Sequence, residues 1–399
     1  MRGQWVMAGF CTLGLAMLAI SGCGPKQRAA EGLLDTPETH YNQGMRKLDE
    51  GDLEAAQTQF EDAIHLNAKY APAYAGICLT DAMRGAKIAD AKSKEKKRYF
   101  EDAQKALNKA KDLDDKNLAV WAAQIRLYTL WQKGDDWIQD CETGLKKALK
   151  INPKSDEVYY YMGLAYQQAY DFRKSEERLR SAMEIDGAWA EKAGQALEMV
   201  HKIVEAQPGT KYGKVIALAD EINRADLAVL FIEELNVVQR MKKRDAATQA
   251  PDLTYQPENP MEFPGPTQGA GSDDITDITG HWAESMIRDF VRAGLFDVMP
   301  DHKFYPDEAV TKIEFAGVVQ RLMYMVTRDE SIFSKYVGEA ESHIRDMRTD
   351  HPYYGAAMLC VERAIMDLDK VNGYFYPDRR ISGPDAVLFI RDVKNALKW

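Results

Sequence analysis

The sequence of 399 residues is long enough for two or three domains with more than one core. Hydrophobic residues at 45% and charged residues at 29% exclude a disordered chain and one wholly embedded in a membrane. With 52 Lys and Arg against 62 Asp and Glu, the net charge of −10 argues against a dedicated nucleic-acid binder, and five cysteines exclude a small disulfide-stapled scaffold.

Arg2 is the only charge before Lys26, and an apolar run from Trp5 to Ile20 lies between them. One positive charge, a short apolar core and then small residues make the layout of a secretory signal. The end of the run, Ile20-Ser21-Gly22-Cys23, resembles the bacterial lipoprotein signal, in which an aliphatic and two small residues precede an invariant cysteine. The resemblance implies removal of residues 1–22, a diacylglycerol on the thiol of Cys23, and anchoring by two or three acyl chains. Glycine rather than aspartate at position 24 implies, by resemblance to enteric lipoproteins, the outer membrane facing the periplasm. The same run also reads as an uncleaved membrane helix with an incidental cysteine, although Gly22, Gly24 and Pro25 spoil its end. Residues 23–36 are expected to be a tether. Cys78, Cys141 and Cys360 are expected as small buried residues rather than bridges.

From residue 37 a period of about 34 residues appears. Tyr41-Asn42-Gln43-Gly44 begins one helix, Gly51-Asp52 makes a turn, and Ala56, Phe60, Ala63 and Leu66 continue a second at helical spacing. The clearest copy holds Tyr159, Met162, Gly163, Tyr166, Leu179, Ala182 and Ile185; another has Trp121, Tyr128, Leu145, Ala148 and a terminating Asn152-Pro153. The second copy, with Tyr74, Cys78, Ala103 and Leu107, is interrupted by an insert containing Lys92, Lys94, Lys96, Lys97 and Arg98, expected to be a solvated helix extension. These residues resemble the tetratricopeptide repeat. The resemblance implies about four helix pairs over 37–206, closed by a helix around 190–205, with a concave face that binds a protein segment. Tyr41, Met45, Arg126, Tyr160 and Gln167 fall on that face, the candidate site for an unknown envelope protein. The carboxylate-clamping set of the family's best-understood groove is absent.

Residues 244–274 hold Pro251, Pro257, Pro260, Pro264 and Pro266 with three glycines, and are expected to be a linker without regular structure. Then come Asp277, His281-Trp282-Ala283, an amphipathic stretch through Ile287, Phe290 and Val291, Phe304-Tyr305-Pro306, and Thr311-Lys312-Ile313-Glu314. The pattern recurs as Asp346, His351, Phe375-Tyr376-Pro377 and Ser382-Gly383-Pro384-Asp385; Phe304 to Phe375 and Lys312 to Gly383 are both 71 positions. A partial copy, Asn223-Arg224-Ala225-Asp226, precedes the linker. These residues resemble the S-layer homology module, giving modules over 207–243 (partial), 275–325 and 340–399. Asn223, Thr311 and Ser382 are suited to N-caps, each followed by an acid three residues on, as in a capping box.

In the family, three modules form a helical bundle whose grooves hold cell-wall glycan, and the arginine of a Thr-Arg-Ala-Glu motif is a main contact. Here that position reads Arg224, Lys312 and Gly383. The resemblance therefore implies a glycan site of Arg224, Lys312, Asp277, Trp282 and Asp346, with His281 and Trp282 also anchoring a helix. The helix starts that carry the cations have N–H groups that also favour anions.

Two look-alikes are set aside. Gly209-Thr210-Lys211-Tyr212-Gly213-Lys214-Val215 is one residue short of a phosphate loop and ends in Val where Ser or Thr must hold magnesium. Asp367 to Gly373 hints at a calcium loop, but Val371 occupies a ligand position and the glycine comes late. No metal-ligand spacing or nucleophile motif appears, so no cofactor, metal or catalytic site is expected. The expectation is an all-α protein, a tetratricopeptide solenoid followed by an S-layer-homology bundle. Its expected role is a non-enzymatic lipoprotein between membrane and wall, or an assembly or export accessory whose bundle is only a docking module.

Overall fold

The computed structural model describes residues 27–248 and 275–399. The lipoprotein signal and Cys23 lie outside these residues, as does most of the linker. Among the described residues the regular structure is helical, and no helix is long and apolar enough to cross a membrane. Contacts divide the chain into two units, through Pro153 and from Lys154.

The first unit is three helix pairs: α1 (Pro37–Asp49) with α2 (Leu53–Leu66), α3 (Ala71–Lys87) with α4 (Lys94–Leu113), and α5 (Leu118–Trp131) with α6 (Trp137–Ile151). The caps are local and legible. Thr36, Asp52, Ser93 and Asn117 each accept a backbone N–H from the first turn that follows, and Pro37 occupies a position where no donor is needed. Phe60 fills the first crossing. A Cβ on Gly44 or Gly76 would approach its ring to 2.5 or 2.4 Å, so both neighbours must lack a side chain. Phe100 plays the same part further on, stacked on Trp131 with ring centres 5.5 Å apart.

The insert in the second pair is the front of α4. Its cations pair within the helix, Lys97 with Glu101 at 3.7 Å and Arg98 with Glu95 at 3.8 Å, as a solvated extension should. The expected tether is partly fastened. Arg28 N–H donates to the His65 carbonyl at 2.9 Å, its guanidinium forks onto Asp35, and His40 Nε2 meets Asp35 at 2.8 Å.

The second unit begins inside the stretch read from sequence as a single array over 37–206. α7 (Asp156–Gln168) and α8 (Phe172–Glu184) form the fourth pair, and α9 (Ala190–Ala206) follows. α9 does not end in a polar outer face. It packs against both α8 and α17 (Gly383–Leu397), with Lys202 on Asp385 at 2.9 Å and Arg391 on Glu205 at 2.7 Å. One apolar core therefore runs from Phe172 and Leu179 through the C-terminal bundle.

The bundle contains α10 (Lys211–Ile216), α11 (Arg224–Val229), α12 (Val237–Thr248), α13 (Glu284–Arg292), α14 (Lys312–Thr327), α15 (Ser331–Ser334), α16 (Tyr354–Glu362) and α17. After α11 the chain makes a π turn over Leu230–Glu234, closed by the Leu235 N–H on the Leu230 carbonyl. α12 runs to Thr248, five residues into the stretch expected to lack regular structure. Residues 244–248 contain neither proline nor glycine, and the first proline is Pro251. Cys78, Cys141 and Cys360 are free and buried; burial pushes all three thiols up, Cys141 and Cys360 to about 12.

Candidate functional site

The bundle is built on a closed ring of three backbone hydrogen bonds. Ile222 N–H donates to the Ile381 carbonyl (2.9 Å), Ile381 to Val310 (3.2 Å), and Val310 back to Ile222 (3.0 Å). Each of these residues stands two positions before a motif helix, so the ring sets α11, α14 and α17 around one centre.

A second layer repeats the pattern one turn out. The first N–H of each motif helix donates to the loop of the next module: Arg224 to Glu308 (2.9 Å), Lys312 to Arg379 (2.8 Å) and Gly383 to Ala219 (2.8 Å). Ala225 donates to Pro306 and Ile313 to Pro377; the third equivalent is Pro384, which has no donor. The caps take the next N–H. Asn223 with Asp226 and Thr311 with Glu314 are complete capping boxes, while Ser382 caps the Asp385 N–H and the Asp385 carboxylate accepts the Ser382 hydroxyl and the Lys202 ammonium. The expectation that open helix starts attract anions therefore does not hold here: the leading N–H groups are already bonded to neighbouring carbonyls and caps.

Three grooves follow, each between a motif helix and the next loop. Asp277 and Asp346 brace the loops in the same way. Asp277 accepts the N–H of Phe304 (2.9 Å) and Tyr305 (2.7 Å); Asp346 accepts those of Phe375 (2.8 Å) and Tyr376 (2.7 Å). Tyr305 and Tyr376 both sit at positive φ, a strained backbone for tyrosine that these paired acceptors hold in place. His281 and His351 each accept, through Nδ1, a backbone N–H two residues on, just before α13 and α16.

The first groove, about 710 Å³, is lined by Arg224, Asp277, Lys303, Tyr305 and Glu308 among others. Arg224 is only 5% exposed. Its Nη1 lies 2.5 Å from Glu308 Oε2, its Nη2 donates to Glu314 Oε1 at 3.0 Å, and its guanidinium faces the Phe296 ring at 5.5 Å. Burial pushes the Glu314 carboxyl up, but the Thr311 N–H, Arg224 and the Thr311 hydroxyl outweigh it and hold the group below its ordinary range.

In the second groove, Lys312 lies half-buried over the Phe375 ring at 4.3 Å and donates to the Asp367 carbonyl at 2.9 Å. Burial, then the neighbouring Arg379, pull the ammonium below the ordinary lysine range. The third groove is filled. A Cβ on Gly383 would meet the Ile216 carbonyl oxygen at 2.0 Å and the Ala219 backbone at 2.9 Å.

A family comparison settles the kind of module. The S-layer homology domain matches residues 274–316. That span includes the Asp277 staple and reaches the start of α14, and Asp346 and His351 repeat the bonds of Asp277 and His281. No curated protein matches the chain. An S-layer homology domain points to association with the cell envelope.

Trp282 is 51% exposed and stacks on Tyr212 of α10, ring centres 5.6 Å apart. The phosphate-loop look-alike is held by the protein's own carboxylate. Glu234 accepts the Gly209 N–H, the Thr210 N–H and hydroxyl, and the Lys394 ammonium at 3.0 Å. In the calcium look-alike, Asp369 accepts the Val371 and Asn372 N–H groups and makes a turn.

The residues expected on a protein-binding face are largely engaged. Tyr41 tilts on Phe60 and meets Tyr70 edge-on, and Met45 is half-buried against the first core. Arg126 is half-buried on α5. Tyr160 packs with Tyr161 and Trp189 at 5.2 and 5.1 Å. Gln167 is buried, its amide 3.5 Å from Met199 Sδ, which withdraws it from an exposed face. Glu308, Arg379 and Glu234 were not singled out from sequence. The register held a signal for two of them, since Glu308 and Arg379 each follow their phenylalanine by four positions.

Proposed function

We propose that this protein is a non-enzymatic envelope lipoprotein that links a membrane to the cell wall. Cys23 carries the lipid, the S-layer homology bundle holds wall glycan, and the tetratricopeptide-like helix pairs recruit an envelope protein. The observation that supports the reading most is the domain match over 274–316 together with its internal repeat around the Ile222–Val310–Ile381 ring. The docking-module alternative draws support from Arg224, whose charge is already answered by Glu308 and Glu314.

Co-sedimentation of the full-length protein in detergent with purified sacculi tests the wall contact. The protein is expected in the pellet; a protein that stays in the supernatant at every wall concentration supports docking instead. The anchor is tested by Cys23→Ala, which should abolish palmitate labelling and signal removal. Persistent labelling would contradict it.

A further inference from the structure

Two leucines stand in water at the start of the first unit. Leu33 is 100% and Leu34 80% exposed. They occupy the corner of a turn closed by the Asp35 N–H on the Gly32 carbonyl at 3.1 Å. Such corners usually hold Gly, Pro, Asn, Asp or Ser, which suit a tight bend in water. The turn is also braced. Asp35 accepts the Glu31 N–H at 2.7 Å and both arms of the Arg28 guanidinium at 2.5 and 2.8 Å, and its Oδ1 lies 2.8 Å from His40 Nε2. His40 Nδ1 in turn meets Gln59 of α2 at 2.8 Å. Arg28 is fixed a second time, by its backbone N–H on the His65 carbonyl near the end of α2. A built turn that presents two large apolar side chains outward calls for an apolar partner.

The lipid on Cys23 would supply that partner. Cys23 stands five positions before Arg28, so even a fully extended connection reaches at most about 18 Å. A lipidated Cys23 lies at the headgroups, and the two fixings of Arg28 keep the turn within that reach of the bilayer. We propose that Leu33 and Leu34 dip into the interface of the membrane that holds Cys23, so that the first unit docks beside its anchor instead of swinging from it. The inference rests on the lipoprotein reading and adds the surface that meets the membrane. Each buried leucine favours the docked arrangement by roughly tenfold or more. The contact is apolar, so it needs no anionic lipid.

Site-directed dye labelling tests it. Cys78, Cys141 and Cys360 are buried, and a lipidated Cys23 has no free thiol, so an introduced cysteine takes the dye. An environment-sensitive dye is placed on Leu34→Cys, or on Glu50→Cys at the other end of α1, a helix of 13 residues and so about 20 Å long. Both positions are exposed, so both variants should fold. The protein purified from membranes is reconstituted in phosphatidylcholine vesicles with and without brominated acyl chains. The dye at 34 should shift to the blue and be quenched by the brominated lipid several-fold more than the dye at 50. Equal quenching at both positions, or at neither, overturns the inference while the anchor stands. A dye at 34 that is shielded in native envelopes yet unquenched in these vesicles places a protein on the leucines and overturns it too. A wild-type protein that does not float with the vesicles overturns the anchor reading and the inference with it.

Discussion

Arg224 shows how far a motif position can mislead about a role. Its register with Lys312 and Gly383 was readable from the motif, since Asn223-Arg224-Ala225-Asp226 lines up with Thr311-Lys312-Ile313-Glu314, although only Lys312 and Gly383 keep the 71-residue spacing. Its partners were not, because Glu308 and Glu314 reach it only through the fold. Arg224 is buried while Glu308 stays in solvent, so Arg224→Ala, which leaves the partly exposed Glu314 without its guanidinium, should destabilise the second unit by about 1–2 kcal/mol. Urea unfolding checks this, and a loss within about 0.5 kcal/mol would mean the pairs contribute little. Gly383 is the opposite case, since its missing side chain is what the structure requires. Its φ is ordinary, so the argument is steric alone. Gly383→Ala drives a Cβ onto the Ile216 carbonyl and should cost about 1–3 kcal/mol, read as a lower thermal midpoint.

At the scale of elements, helices and caps were legible because they are local. Asn223, Thr311 and Ser382 announce helix starts by their own side-chain chemistry. The ends were less so: α12 runs five residues past its expected limit, to Thr248. The turn at 209–210 was legible only as something it is not, since the carboxylate that holds it comes from Glu234, at the end of the π turn. Burial pushes that carboxyl up, and the Gly209, Lys394 and Thr210 hydrogen bonds more than offset the push, so its folded pKa lies below the ordinary 4.5. The sign follows. A depressed carboxyl stabilises fully above its unfolded pKa and loses that contribution as pH falls through the folded value. Glu314 behaves alike. The urea midpoint should therefore fall as pH drops below about 4.5. Glu234→Gln should lower the midpoint at pH 7 and make the acid fall shallower. An unchanged acid slope would remove Glu234 from the account.

At the scale of the whole molecule, the all-α class and the order of helix pairs and bundle followed from the helical spacing together with the two family resemblances. The place where the contacts divide did not. Helical spacing continues through α7, α8 and α9, but α9 buries its face on α17, close to two hundred positions away, and so the fourth pair belongs with the bundle. Sequence order cannot reveal which core a helix joins when both cores have the same composition. The same holds for the candidate site. The motif positions of the candidate glycan site were legible from the repeat, whereas what meets them, Glu308 at Arg224 and the Ile216–Ala219 backbone at Gly383, was not. Lysine footprinting tests the central claim directly: the full-length protein is acetylated free and bound to sacculi, and each lysine is quantified by mass spectrometry. Lys312, at the candidate glycan site, should be protected by the wall while the exposed Lys105 of the first unit labels equally in both states. Equal labelling of Lys312 in both states would contradict the account.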